Sequence, residues 1–143
     1  LWLVCAGGGA FKNAELNLLK AHQLNQRVIY QPIHDNEQLA SLYNHARCLV
    51  YPSLYEGFGL PIIEAFACGC PVITSKGSST GEIAGDAAVL INPNDTEEMS
   101  QKISEVLNNE FLQDQMVKLG HNRAHLFNWD KTANQTLKLY QAI

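Results

Sequence analysis

The sequence has little of what marks several protein classes. Only 17% of its 143 residues are charged, and the net charge of −4 gives no basic surface for nucleic acid. No apolar run approaches the length of a membrane span, and no signal peptide opens the chain. Cysteine is scarce: Cys5 and Cys48 sit in strand-like runs, and Cys68 and Cys70 flank Gly69 near a helix end. Small buried thiols are the plain reading, and cytoplasmic, reducing conditions fit best. Cys68-Gly69-Cys70 lacks a second Cys/His pair at metal-ligand spacing. His121 and His125 share a helix face, but no Glu follows the first as in H-E-x-x-H, and no third ligand is evident. Nothing supplies a D-x-D metal site either. Repeats and low-complexity tracts are absent, so one domain over 1–143 is expected, its 46% apolar residues ample for a core. The chain also lacks an initial Met. It opens on Leu1-Trp2-Leu3-Val4-Cys5-Ala6, which reads as a core strand, and we expect a piece cut from a longer protein.

What is present centres on residues 51–65, Tyr-Pro-Ser-Leu-Tyr-Glu-Gly-Phe-Gly-Leu-Pro-Ile-Ile-Glu-Ala. Cys48 to Tyr51 is a short apolar run expected to be a buried parallel strand. Gly57 and Gly59 allow unusual backbone and close approach of a ligand, and Pro61 suits the first turn of a helix. Free amides and the dipole at such a helix start favour a phosphate. Glu64, roughly 4.5 Å along the helix from Pro61, is better placed to accept two hydrogen bonds from a vicinal diol such as a ribose.

Around this centre, strands and helices alternate. Leu1–Ala6 is a strand ending at Gly7-Gly8-Gly9, a loop that serves either as a phosphate contact or as a tight turn. It is not the dinucleotide G-x-G-x-x-G. A helix spans Ala14–His22 and a strand Arg27–Tyr30. Asp35 with Gln38, Ser79 with Glu82, and Asp95 with Glu98 have capping-box spacing. Leu39, Leu42, Tyr43 and Ala46 form an apolar stripe, a core feature. Further strands are expected at Pro71–Thr74 and Ala87–Ile91. Met99, Ile103, Val106 and Leu107 mark one helix face, and residues 111–126 are expected to continue as helix with Leu112, Met116 and Leu119 inward. Asn128 caps a last helix with Trp129, Ala133, Leu137 and Tyr140 on one face. The expected fold class is therefore α/β, a Rossmann-like parallel sheet with helices on both faces, binding ligands beyond the carboxyl ends of its strands. Gly7–Gly9, Gln31–His34, Glu56–Leu60 and the Ser75–Gly81 loop lie at that edge. Lys76 in the last loop reads as a solvated surface lysine before a phosphate contact.

Glu56 and Glu64, seven residues apart around Gly-Phe-Gly-Leu-Pro, resemble the E-x7-E signature of retaining glycosyltransferases, in particular family 4. Leu42–Ala46, Ala65–Ser75, Glu82–Ala88 and Phe127-Asn128-Trp129 are similar to the same family, in its order, over nearly the whole chain. The resemblance implies the carboxyl-terminal, donor-binding half of a GT-B fold. It implies that Glu56 is catalytic, touching donor-sugar hydroxyls and stabilising developing positive charge. It implies that Gly57, Phe58, Gly59 and Leu60 receive sugar and diphosphate and that Glu64 holds the ribose. Gly8 and Gly9, on the reading of their loop as a phosphate contact, are further donor-binding candidates, and the resemblance implies that the loop at Ile33 would face the base. The expected substrate is a nucleoside diphosphate sugar of UDP, GDP or ADP type, with no metal and no cofactor, and a hexosyl group passing to a glycan or lipid-linked acceptor. The acceptor domain, and an Arg and a Lys that bind diphosphate in this family, would precede Leu1, and membrane association would reside there. The last helix would pack across that domain junction. A non-catalytic nucleotide-sugar module and a GT-B epimerase or phosphorylase domain are the alternatives.

Overall fold

A computed structural model describes residues 1–142. Its elements are β1 (Leu3–Ala6), α1 (Asn13–Ala21), β2 (Val28–Gln31), α2 (Asn36–His45), β3 (Leu49–Tyr51), α3 (Leu60–Ala67), β4 (Val72–Ser75), α4 (Ser78–Ala84), β5 (Val89–Ile91), α5 (Thr96–Asn108), α6 (Glu110–Ala124) and α7 (Trp129–Gln141). All strand pairs are parallel: β1 with β2, and β3–β4–β5 in that order. Parallel strands need crossover connections, and the helices provide them. The chain divides into two compact units, Leu1–Ser41 and the remainder from Leu42.

In the first unit β1 registers Leu3 on Val28 through Ala6 on Gln31, and Gly7 N–H extends the pairing to Gln31 O. Phe11 meets Tyr30 edge-on, with centroids 6.1 Å apart. The expected core strand is nevertheless open to solvent, with Leu3 55% and Val4 40% exposed. α1 buries none of its residues.

The second unit holds the core. β4 is buried at all four positions, so both of its faces are covered. Ile73 and Ile91 join Val106 of α5 and Met116 of α6 in one cluster, flanked by Val50, Val89, Met99, Ile103 and Leu112. α3 and α4 pack on β4 as well, and α3 packs closely on α6. Gly120 makes that last contact possible: a Cβ there would stand 2.8 Å from the Phe66 ring.

Several local expectations are corrected. Asp35 Oδ1 caps Gln38 N–H, but the Gln38 side chain accepts from His34 N–H, one residue beyond the cap that a capping box would use. Asp95 Oδ1 accepts from Glu97 and Glu98 N–H, while Glu98 reaches further back, to Asn92 N–H at 2.7 Å. Ser79 and Glu82 form no box, because α4 starts two residues earlier than that spacing requires, with Gly77 as its cap. Asn109 caps α6 at Leu112 N–H, so α6 is a new helix and not a continuation of α5. Along α6, Gly120 is buried where Leu119 was expected, and Leu119 is 39% exposed. Asn128 caps α7 through Asp130 and Lys131 N–H as expected, yet none of the helix's apolar side chains is buried.

Candidate functional site

β3 ends at Tyr51, and Pro52 has no N–H with which to extend the ladder. Beyond it, hydroxyls of the next strand–helix unit replace the missing backbone bonds. Thr74 Oγ1 donates to Tyr51 O at 2.9 Å, and Ser75 Oγ donates to Ser53 O. Ser78 Oγ accepts from Glu56 N–H at 3.2 Å, and the hydroxyls of Ser78 and Ser79 reach Glu56 O at 3.1 and 2.8 Å. Ser78 makes these contacts at φ 61°, a left-handed conformation uncommon outside glycine. The fully buried Thr80 closes the turn with Oγ1 2.9 Å from Ser75 O and 2.7 Å from Gly77 O. Glu56 therefore stands on a clamped backbone.

The two glycines of the loop do different things. Gly59 is buried at φ 110° and caps α3, and a Cβ there would lie 3.3 Å from Ile62 Cδ1. Only glycine takes that position without strain. Gly57 has no left-handed φ, and a Cβ there would meet nothing within 4 Å, so it leaves open space and supplies no turn. Pro61 has no N–H, and Ile62 N–H turns back to Gly59 O. The amides of Gly57, Phe58, Gly59 and Leu60 donate to no acceptor among the described residues. Four consecutive unpaired donors at a helix start are suited to an anion.

Each glutamate is oriented by a tyrosine. Tyr51 OH donates to Glu56 Oε1 at 2.5 Å, and Ser53 Oγ donates to the same oxygen at 2.8 Å. These two bonds, Tyr51's first, hold the Glu56 carboxyl below the ordinary carboxylate range. Burial, then the bond to Glu56, pushes the Tyr51 phenol up to about 12. Tyr43, buried on α2, donates to Glu64 Oε2 at 3.3 Å, and its own hydroxyl is pushed up by burial and by the Glu64 charge. Glu64 itself projects into solvent from α3.

Phe58 lies edge-on to Phe127, centroids 5.9 Å apart, and Arg123 stacks on Phe127 at 5.4 Å. Arg123 also donates Nε to Ile83 O at 2.9 Å and Nη2 to Glu82 O, tying the end of α6 to α4. The loop, α4 and the end of α6 are thus one connected support. Spacing along the chain gave no sign of it, because the partners are distant in sequence, Arg123 and Glu82 by 41 residues and Phe58 and Phe127 by more.

Of the remaining candidates, Gly8 and Gly9 follow β1 and the partly buried Ile33 follows β2, all in the first unit. Gly7, Gly8 and Gly9 are all left-handed, at φ 74°, 72° and 99°. Lys76 is exposed. Burial raises the thiols of Cys48 and Cys68 and takes Cys70 up to about 12, so these cysteines are poor nucleophiles at neutral pH. No described group of three His, Cys, Asp or Glu side chains has metal-site geometry. No described helix is long and apolar enough to cross a membrane.

Comparison with known proteins decides the family. The profile of the family described as "Glycosyl transferases group 1" matches residues 1–123. The chain belongs to the group 1 glycosyl transferases. It is 40% identical over 108 residues to O-antigen chain mannosyltransferase B of Escherichia coli, covering 76% of this chain and 28% of that one. Among solved structures, sucrose-phosphate synthase from Thermosynechococcus elongatus superposes with a TM-score of 0.86 at 33% identity, over 98% of this chain and 38% of that one. Anabaena HepE, solved in complex with UDP-glucose, superposes with a TM-score of 0.87 at 18% identity, over 99% of this chain and 41% of that one. The group 1 chain thus spans under half the length of each of these three relatives, and its α/β fold is that of the GT-B glycosyltransferases.

Proposed function

We propose that this chain is the donor-binding domain of a retaining, family 4 glycosyltransferase. The full enzyme would move a hexosyl group from a nucleoside diphosphate sugar to a glycan or lipid-linked acceptor held by a domain outside this chain. The observation that carries this reading is the clamped Glu56–Leu60 loop, which joins four unpaired amides to two oriented carboxylates. The diphosphate is a leaving group whose negative charge grows as the glycosidic bond breaks. Amides at the start of α3 stabilise that charge more in the transition state than in the ground state.

Glu56, anionic at neutral pH, takes the catalytic role: it accepts from sugar hydroxyls and faces the positive charge developing on the sugar. Glu64 accepts from the ribose diol. The pair is not the acid and base of a hydrolase, which stand on opposite sides of the sugar at set separations. Gly8, Gly9 and Ile33 are proposed as further donor contacts, since they stand at the carboxyl ends of β1 and β2. The amides meet the leaving charge in this scheme, so it invokes no metal and no cofactor. The names of the relatives support a nucleotide-sugar substrate and a setting in surface polysaccharide assembly. Four free thiols support a reducing, cytoplasmic setting.

Calorimetric titration with UDP, GDP and ADP tests the reading. We expect one diphosphate to be preferred and to weaken about ten-fold in Glu64→Ala. We also expect no sugar transfer by this chain alone. Failure of all three to bind at millimolar concentration, here and in the full-length parent, overturns the donor site, and so does binding that Glu64→Ala leaves unchanged.

A further inference from the structure

We propose that Tyr51 and Tyr43 are positioning residues for the glutamate pair, each occupying one carboxylate oxygen so that the other is presented to the donor. This inference rests on the donor-site reading above and extends it to residues that touch no substrate.

The pattern is the same at both sites. Tyr51 OH and Ser53 Oγ both donate to Oε1 of Glu56, and no described residue bonds its Oε2. Tyr43 OH donates to Oε2 of Glu64, and no described residue bonds its Oε1. A glutamate has three rotatable side-chain bonds and loses freedom when a ligand must fix it. A tyrosine has two, and its hydroxyl is carried at the end of a rigid ring. Both rings stand on regular elements: Tyr51 is the last residue of β3, and Tyr43 is 8% exposed within α2. A carboxylate saturated at one oxygen by a charge-assisted hydrogen bond keeps its charge and its aim. The remaining oxygen has its lone pairs free for ligand hydroxyls, which are donors.

The two tyrosines then have separable effects. Tyr51 acts through the glutamate assigned to the sugar, and Tyr43 through the one assigned to the ribose. Tyr→Phe at either position keeps the ring and removes only the hydroxyl.

The test is calorimetry on wild type, Tyr51→Phe and Tyr43→Phe with UDP and UDP-glucose, and with GDP and GDP-mannose, alongside thermal unfolding. For the preferred base, Tyr51→Phe should leave the diphosphate within about two-fold of wild type and weaken the sugar nucleotide about ten-fold. Tyr43→Phe should weaken both by about the same ten-fold. The pH profile of sugar-nucleotide affinity adds a readout that mere loss of packing would not move. Its acid limb should shift to higher pH in Tyr51→Phe, because Glu56 loses its strongest donor. If wild type binds and Tyr51→Phe weakens both ligands equally, or neither, or leaves the acid limb in place, Tyr51 does not position Glu56. If Tyr43→Phe binds as wild type does, Tyr43 does not position Glu64. If wild type binds no nucleotide at all, the donor reading fails first and the inference falls with it.

Discussion

Two glycine loops follow β1 and β3 in this chain, and they are built differently. Gly7, Gly8 and Gly9 are left-handed in succession, and nothing lies within 4 Å of where a Cβ would stand on any of them. Apart from Gly7 N–H on Gln31 O, no hydrogen bond is made by that loop among the described residues. The Glu56–Gly59 loop uses one left-handed glycine, buried and packed against Ile62 and Thr80. Hydroxyls of Ser78 and Ser79 hold its Glu56 carbonyl, those of Thr74 and Ser75 hold the carbonyls of Tyr51 and Ser53 leading into it, and Phe127 backs its phenylalanine. Glycine content therefore marks where a ligand can approach. Whether the loop is already set to receive it depends on the side chains that arrive from the following strand–helix unit.

Substituting the glycines probes this contrast most strongly. Gly59→Ala should destabilise the fold by about 2–3 kcal/mol, from left-handed strain plus the contact with Ile62. Gly8→Ala, in open space where the loop can relax, should cost about 1 kcal/mol. Urea unfolding measures both, and equal costs would erase the distinction. Next in size, Ser78→Ala combined with Ser79→Ala should cost about 1–2 kcal/mol and speed hydrogen exchange at the Glu56 amide, which loses its acceptor. Unchanged exchange would mean that the hydroxyls do not hold the loop. The smallest effects are those of pH. Glu56 titrates below its ordinary 4.5, so its stabilising contribution is present above that value and is lost as pH falls through the lowered one. Tyr51 runs the other way: its contribution is present below its ordinary 10.0 and is lost as pH rises through about 12. Unfolding free energy followed against pH in wild type and Tyr51→Phe should show both limbs flatten in the variant.

The elements that carry this site were legible because their signals are local. Pro61 and Gly59 bracket a helix start, Asp95 and Asn128 cap their helices, and apolar runs mark β3 and β4. What escaped is carried by contacts between distant residues. The Ser75–Gly81 stretch reads as a polar loop, and only folding brings its hydroxyls onto carbonyls 22 and 23 residues away. Helical period puts Leu119 inward, but the close approach of α3 and α6 at Phe66 selects Gly120, which has no hydrophobic signature. Tyr43 fits an apolar stripe equally well whether its hydroxyl is idle or bound to Glu64. Gln38 and Glu98 have the spacing of capping boxes but reach past the capping residue, to His34 and Asn92, where a free amide is available.

Residues 56–60 are proposed as a prebuilt diphosphate site. The most direct measurement is amide NMR of the chain titrated with UDP, GDP and ADP. The preferred diphosphate is expected to shift the Gly57, Phe58, Gly59 and Leu60 amides together, saturably and by more than any other contiguous group. Binding that leaves these four amides unmoved, whatever its affinity, would contradict it.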